Sequence, residues 1–340
     1  MTQPLRIGIL GAARIAPLSV VEPAAATGHR LVAVAARDVA RARRFADEHG
    51  VERVVESYAA VLADPDVEVV YNPLPNSLHA EWNARAAEAG KHVLAEKPSA
   101  TDPADARRVR DAVAASGVVF MEAFHFPYHP LVRRLCALLD QSAVGEVRHV
   151  EAVLRMPAPP DGDPRWSGAL GGGATMDLGC YSIAALRLLG RFVGGEPRVV
   201  AARGAERSGH PGVDERLFFD AVYPDGATCA GGSDMDAPER DMALTVTGSR
   251  GQIVVPMFPV PHEDDSLVIR RHGEPEVVEH LGTRTSYTYQ LEALASAVRN
   301  GRAVTTDAGW AVGNAELVDA VYAAAGLRRC TPPPSGSERP

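Results

Sequence analysis

Three short constellations combine residue types that move protons or hold anions. The first is Ala95-Glu96-Lys97-Pro98. Of the 35 basic residues only two are lysine, Lys91 and Lys97. Arginine fills nearly every role the two side chains share. A remaining lysine is there either by chance or for a task arginine cannot perform, such as donating a proton near neutral pH. Composition alone does not choose between the two lysines. Glu96 stands where it could orient or tune the Lys97 ammonium group. The second is LGGGATMDLGCY over residues 170–181. Asp177 and Tyr181 are spaced i, i+4, so on a helix they share one face. A carboxylate and a phenol projecting together suit a hydroxyl-bearing substrate, although such a pair also serves simply to stabilise its helix. The third is Gly11-Ala12-Ala13-Arg14-Ile15-Ala16, a G-x-G-x-x-A pattern with alanine at its second glycine. Gly11 permits a tight turn, small Ala13 lets backbone approach a pyrophosphate, and the helix start after Arg14 and Ile15 offers free N–H groups.

Residues after the second apolar run speak to the cofactor. NAD-binding enzymes usually carry an acid there to bind the ribose 2′-hydroxyl. Here the run ends Ala36-Arg37-Asp38, with Asp38 placed to cap a helix. Arg37, with Arg41 one turn later, could pair with a 2′-phosphate and stack on adenine. This favours NADP(H) over NAD(H); both arginines as solvated surface residues is the plainer alternative. Pro75, Asn76 and His79 follow another carboxyl strand end and could line the same cleft, or cap and pack a helix. His125 and His129 lie where two domains should join, with packing or capping as an equal reading. The eleven histidines show no HExxH-type spacing, so no metal is expected. No GxSxG elbow or Cys–His pairing suggests a hydrolytic nucleophile.

These residues need a frame. The first third alternates apolar runs (5–10, 31–36, 67–71, 92–95, 118–121) with helical patterns near 38–49, 77–89 and 103–116. Strands alternating with helices predict a parallel, doubly wound Rossmann sheet. Lys97 then follows what is counted as the fifth strand, at a carboxyl edge where such sheets bind ligands; Lys91 precedes that strand, at the opposite edge. After about residue 124 the pattern changes. Helices near 130–140 and 175–189 flank a strand at 146–154 and a Pro/Gly-rich loop at 157–173. Runs at 198–205, 215–223, 227–233, 241–247, 252–256 and 266–271 follow, and helices at 287–299 and 308–325 close the chain. This predicts an α+β domain with a mostly antiparallel open sheet and helices on one face. The expected division is 1–124, 125–330 and a disordered Pro/Ser-rich tail, 331–340.

Composition excludes several classes. With 340 residues, 46% hydrophobic and 23% charged, the chain has ordinary globular proportions. A net charge of -8 and no dense basic run argue against nucleic acid as a partner. No apolar stretch approaches the ~20 residues that span a bilayer, and the opening MTQPLRIGIL lacks a signal-peptide layout. The four cysteines are far apart and read as reduced thiols of a cytoplasmic protein.

Together the Glu96-Lys97-Pro98, PLPNSLHAEW, MEAF and GGGATMDLGCY blocks resemble the Gfo/Idh/MocA family of NAD(P)-dependent oxidoreductases. The resemblance runs from about Leu5 to Leu327. It is nearest to the branch of dihydrodiol dehydrogenase, NADP-dependent D-xylose dehydrogenase and glucose-fructose oxidoreductase, which carries Tyr where other members carry His four residues after the aspartate. The resemblance implies that Lys97 and Tyr181 are catalytic, with Asp177, and that Arg165 and Trp166 help hold a carbohydrate-like substrate. It also implies a homodimer or homotetramer built through the second domain's sheet. Relatives often read MEAF-x-x-R-x-HP, whereas this chain has Pro127 at the arginine position, which leaves the sugar, polyol or trans-dihydrodiol open. Two rivals remain: an NAD(H)-dependent inositol or sugar dehydrogenase, and a non-catalytic NADP(H)-sensing regulator, which would need no proton-transfer group.

Overall fold

Arg6–Leu10 forms strand β1, buried from Ile7 onward. Strands β2 (Arg30–Ala35), β3 (Val69–Asn72), β4 (His92–Ala95) and β5 (Phe120–Glu122) are similarly apolar and buried, as strands covered on both faces must be. All pair in parallel in the order β2-β1-β3-β4-β5. The strand before Lys97 is therefore the fourth, not the fifth; between β2 and β3 the chain adds only an isolated bridge, Val34 to Val54. Ligands in this strand order bind where β1 and β3 diverge, at their carboxyl ends. The computed structural model describes residues 3–329; Cys330 and the tail at 331–340, expected to be disordered, lie outside them.

The crossovers are α1 (Glu22–Thr27), α2 (Val39–His49), α3 (Tyr58–Ala63), α4 (Asn76–Glu88) and α5 (Pro103–Ser116). Their ends follow local chemistry. Asp38 caps α2 by accepting from the amides of Ala40 and Arg41 at 2.9 and 3.2 Å. Asp102 caps α5 through Asp105 N at 2.9 Å, Pro103 fills the first turn, and Gly117 closes it at φ +67°. Helix α3 has only six residues, too few to show a helical period in the sequence.

The second sheet runs β13-β12-β11-β10-β6-β9-β8-β7, antiparallel throughout except between β6 and β9. Its members are β6 (Val147–Arg155), β7 (Arg198–Glu206), β8 (Asp214–Val222), β9 (Thr228–Asp234), β10 (Leu244–Gly248), β11 (Gly251–Val255), β12 (Ser266–Arg271) and β13 (Val277–His280). Edge strand β13 escapes sequence reading because Val277 and Val278 are both substantially exposed, so no alternation marks it. Helix α6 (Pro130–Asp140) precedes β6 and α7 (Cys180–Leu189) follows it, the latter continuing from a π-helical turn over Thr175–Gly179. Helix α7 lies close against β6 and β9. Ser182 Oγ bonds the Ala152 carbonyl and accepts from Gly232 N at 3.0 Å. A Cβ on Gly231 would fall 2.6 Å from Ser182 Oγ and 2.4 Å from the Phe219 ring, so this approach requires glycine.

Helices α8 (Ser286–Asn300) and α9 (Ala308–Ala324) close the chain. Here the structure departs from a contiguous second domain over 125–330. Among the described residues, 3–124 form one compact unit together with Tyr287–Gly313; His125–Ser286 and 314–329 form the other. Side-chain chemistry explains the return. Arg299 grips Glu68, with Nη2 2.7 Å from Oε2, and also donates to the carbonyls of Gln3 and Pro4 at 3.0 Å. Thr306 accepts from Glu122 N at 2.8 Å and donates to Glu122 O at 2.7 Å. Among the described residues no helix is long and apolar enough to cross a membrane.

Candidate active site

In the first unit, the turn after β1 is held by Gly11 N donating to Ala35 O at 2.6 Å. Gly11 has φ +91°, and a Cβ there would meet Leu74 Cδ2 at 3.2 Å, so glycine is needed at the mouth of the β1–β3 crevice. Ala13 and Ile15 are half-buried and Arg14 is exposed. Ala16 N closes back on Ala13 O at 3.1 Å, and a helical turn over Pro17–Val21 follows. Arg37 and Arg41 are both exposed just past β2. Tyr58 joins these two regions, and sequence reasoning misses it. A Cβ on Gly11 would lie 3.9 Å from its hydroxyl. Burial raises the pKa of that hydroxyl, while the Arg37 charge, a backbone hydrogen bond at Arg37 and the Arg41 charge lower it. Its ring packs edge-on against Trp82 at 5.1 Å.

The loop after β3 is tied to the loop after β4. Pro75 and Asn76 are half-buried at the start of α4. His79 is 1% exposed, with Nδ1 2.7 Å from the Pro98 carbonyl oxygen and Nε2 2.5 Å from that of Leu74. It sits between the two loops, and its neutral ring donates its one N–H to one of the two carbonyls. The carbonyls favour a charged ring, but burial outweighs them and the His79 pKa is pushed down to about 4. The unfolded chain therefore binds more protons between pH 6.5 and about 4. His79 should stabilise the fold fully above that window and lose about 3 kcal/mol of stabilisation across it. Urea unfolding of wild type and His79→Gln from pH 7 to 4.5 checks this. The wild type should weaken more steeply on acidification; equal slopes would exclude the buried neutral ring.

Lys97 is half-buried at the carboxyl end of β4, and the peptide bond between it and Pro98 is cis. Its loop is held by two acids. Buried Glu96 accepts from Lys97 N at 3.3 Å through Oε2 and from Tyr71 Oη at 2.8 Å through Oε1. Tyr71 also contacts Ser19 Oγ, which donates to Ile15 O at 3.1 Å, so Glu96 is linked to the helix after the Gly11 turn. Glu122 accepts from Ser99 N at 2.8 Å. Lys91, by contrast, donates to the carbonyls of Asp64 and Val67 at 2.8 and 2.7 Å, a structural post.

In the second unit, Asp177 lies on the π-helical turn and Tyr181 on α7, four residues apart. Arg165 is brought to them. Its Nη1 is 3.7 Å from Asp177 Oδ2, and Asp163 grips its Nε at 3.0 Å and Nη2 at 3.2 Å. Trp166 is only 2% exposed; its indole donates to Pro159 O at 3.1 Å and Arg207 stacks on the ring at 4.1 Å. The structure makes Trp166 a loop anchor, not an open contact surface. The start of the Tyr181 helix is fixed by Asp214, buried at 1% exposure. Asp214 accepts from Thr175 N at 2.8 Å, Thr175 Oγ1 at 2.7 Å and Tyr322 Oη at 2.6 Å. Burial raises its pKa against those three bonds. Tyr181 Oη lies 3.5 Å from Nε2 of fully buried His125, while His129 caps α6 through Leu131 N at 3.2 Å. Among the described residues no three His, Cys, Asp or Glu side chains are grouped to hold a metal ion.

Comparison with known proteins bears on both units. A family model described as the oxidoreductase family with NAD-binding Rossmann fold, GFO/IDH/MocA, matches residues 5–124. The GFO/IDH/MocA C-terminal domain matches residues 132–254. The chain is 37% identical to D-xylose 1-dehydrogenase (NADP(+)) 2 of Haloferax volcanii, covering 94% of this chain and 97% of that one. It is 35% identical to dTDP-3,4-didehydro-2,6-dideoxy-alpha-D-glucose 3-reductase of Saccharopolyspora spinosa, covering 97% and 99%. A crystal structure of a 3-ketoreductase from Actinomadura kijaniata, in complex with NADP and TDP-benzene, superposes with a TM-score of 0.86 at 32% identity, over 95% of this chain and 98% of that one.

Proposed function

We propose, because this chain belongs to the GFO/IDH/MocA oxidoreductase family, that it moves a hydride between NADP(H) and a carbohydrate-like alcohol or its ketone. It is an oxidoreductase of sugar-like substrates; the cofactor and the roles of single residues are our reading. The observation that carries the cofactor choice is local. Two exposed arginines, Arg37 and Arg41, follow β2 where an NAD enzyme would carry an acid, and Tyr58 brings them beside the Gly11 turn. The residues present fit a phosphorylated dinucleotide: a positive-φ glycine at the β1–β3 divergence, a small residue at position 13, and guanidinium groups for the 2′-phosphate. The NADP named with two of the relatives supports the same choice.

When bound, the nicotinamide accepts or donates the hydride, and the chain supplies position and charge. Tyr181 exchanges the substrate hydroxyl proton at Oη as general acid and base. The Lys97 ammonium group stabilises the oxyanion that develops on the substrate. Asp177, held by Arg165, accepts a hydrogen bond from a neighbouring substrate hydroxyl. Glu96 fixes the backbone that carries Lys97.

The test of the cofactor reading is a side-by-side titration. Arg37→Ala should weaken NADPH by roughly 1.5–3 kcal/mol, about ten- to a hundredfold, the range for hydrogen bonds to charged groups. NADH binding should barely change. Equal losses for both cofactors would assign Arg37 a structural role, and tenfold tighter NADH binding to the wild type would overturn the choice. Turnover is then scored on aldoses, polyols, a trans-dihydrodiol and a dTDP-linked 3-keto sugar.

A further inference from the structure

We infer that His125, Ser286 and His262 form a proton relay that connects the Tyr181 hydroxyl to solvent, an assignment that rests on Tyr181 being the acid–base group. A phenol that takes a proton in each turnover must pass one on, and Tyr181 is half-buried. Within its own unit the Tyr181 hydroxyl lies 3.5 Å from Nε2 of His125. That is the long limit of a hydrogen bond, as catalytic contacts often are before substrate binds. His125 and Ser286 are both fully buried, and His125 Nδ1 is 2.8 Å from Ser286 Oγ. Ser286 Oγ is in turn 2.9 Å from Nδ1 of His262, a half-buried ring that reaches the surface. Two imidazoles therefore share one serine hydroxyl, across 161 residues on one side and 24 on the other.

The geometry sets a direction. Ser286 N also points at His262 Nδ1, at 3.4 Å, so that nitrogen is an acceptor and the proton of the neutral ring is on Nε2. The single Ser286 hydroxyl proton then goes to His262, and Ser286 Oγ accepts from His125 Nδ1–H. This leaves His125 Nε2 bare, facing Tyr181 Oη–H. Every donor in the series points outward. Burial lowers the His262 pKa, with Glu263 opposing and Arg240 assisting, which keeps this ring in the neutral form that can accept.

In alcohol oxidation the substrate hydroxyl proton passes to Tyr181 Oη as the Tyr181 proton passes to His125 Nε2. The His125 Nδ1 proton moves to Ser286 Oγ, the Ser286 proton moves to His262 Nδ1, and the His262 Nε2 proton leaves to water. One proton enters and one leaves, while the hydride goes to the oxidised cofactor. The series ends with reversed polarity, His125 protonated on Nε2 and His262 on Nδ1. Ketone reduction runs the same steps inward from that state and restores the first. Repeated turnover in one direction requires both rings and the Ser286 hydroxyl to reorient between cycles. A serine bonded by two histidines for packing alone would need none of this alignment with Tyr181.

Two readouts test the relay. The first uses kinetics of His262→Ala, a change at the solvent end. In dilute non-proton-carrying buffer its turnover should fall about tenfold, less than the ~10²–10⁴ of losing the acid–base group itself. Added imidazole should restore it, and NADPH affinity should not move. Wild-type turnover in His262→Ala, or a loss that imidazole does not reverse, overturns the relay. The second needs no substrate: long-range proton–nitrogen spectra of histidine-labelled protein. His125 should carry its proton on Nδ1 and His262 on Nε2, and Ser286→Ala should disturb both rings. The opposite tautomers, or two rings indifferent to Ser286→Ala, overturn it as well. An inactive wild type with the expected tautomers would count against the proposed reaction and leave the wire standing.

Discussion

Arginine at position 97 should leave NADPH bound and cut turnover by ~10²-fold or more, the scale of lost acid–base assistance. Lys97→Arg keeps the charge and changes its form: a planar, permanently protonated fork replaces a compact ammonium group. The loop beneath it cannot readily shift to compensate. The amide of Lys97 is held by Glu96 and that of Ser99 by Glu122, while His79 Nδ1 lies 2.7 Å from the Pro98 carbonyl oxygen. Tyr181→Phe, which removes only a hydroxyl, should lose a similar factor. If the two groups act on the same proton, the double variant should lose far less than the product of the single losses. Steady-state kinetics with NADPH fluorescence titrations measure all three. Near-wild-type turnover in Lys97→Arg would show that charge alone suffices there, and full activity in Tyr181→Phe would remove that phenol from the chemistry.

The largest stability loss is expected far from any substrate, at Asp214. Asp214→Ala strips the acceptor from Thr175 N, Thr175 Oγ1 and Tyr322 Oη at once. Removing one member of a buried, hydrogen-bonded set leaves the others unsatisfied, at a cost of roughly 3–5 kcal/mol. For a unit of this size that is a fall of about 10 °C in Tm. Thermal melts followed by circular dichroism read it directly. Asp214→Asn, which retains one acceptor oxygen, should fall between the two. A Tm for Asp214→Ala within about 2 °C of wild type, under 1 kcal/mol, would mean that water replaces the carboxylate.

What was legible in the sequence follows from the range of the interactions. Helices α5 and α6 and strands β4 and β12 begin and end where their residues predict, because caps, prolines and glycines act within one turn. The Gly11 turn and the carboxyl-end position of Lys97 were legible for the same reason: a strand end followed by a turn is a local event. The placement of Asp177 and Tyr181 four residues apart near the start of one helix was legible too, although the π-helical start was not. Asp214 was invisible, because its partner Thr175 is 39 residues away and a lone acid opening a strand has no local signature. Tyr58 was hidden in a helix too short for periodicity. The His125–Ser286–His262 series depends on the tertiary path alone. The segment that rejoins the first unit could not be placed either, because a helical period says which face is buried and not against what.

That rejoining segment has a consequence for how the protein is made. Synthesis delivers β1 to β5 early, yet Glu68 and the carbonyls of Gln3 and Pro4 wait for Arg299, and both backbone groups of Glu122 wait for Thr306. A nascent chain that has emerged only to Phe124 has all five strands of its parallel sheet and lacks the clasp across them. The first unit is thus finished only after every strand of the second sheet has been translated, and the second unit closes later still, with the residues from Asn314 onward. A fragment that keeps these hydrogen bonds is accordingly not residues 3–124 alone but a fusion of 3–124 with 287–313.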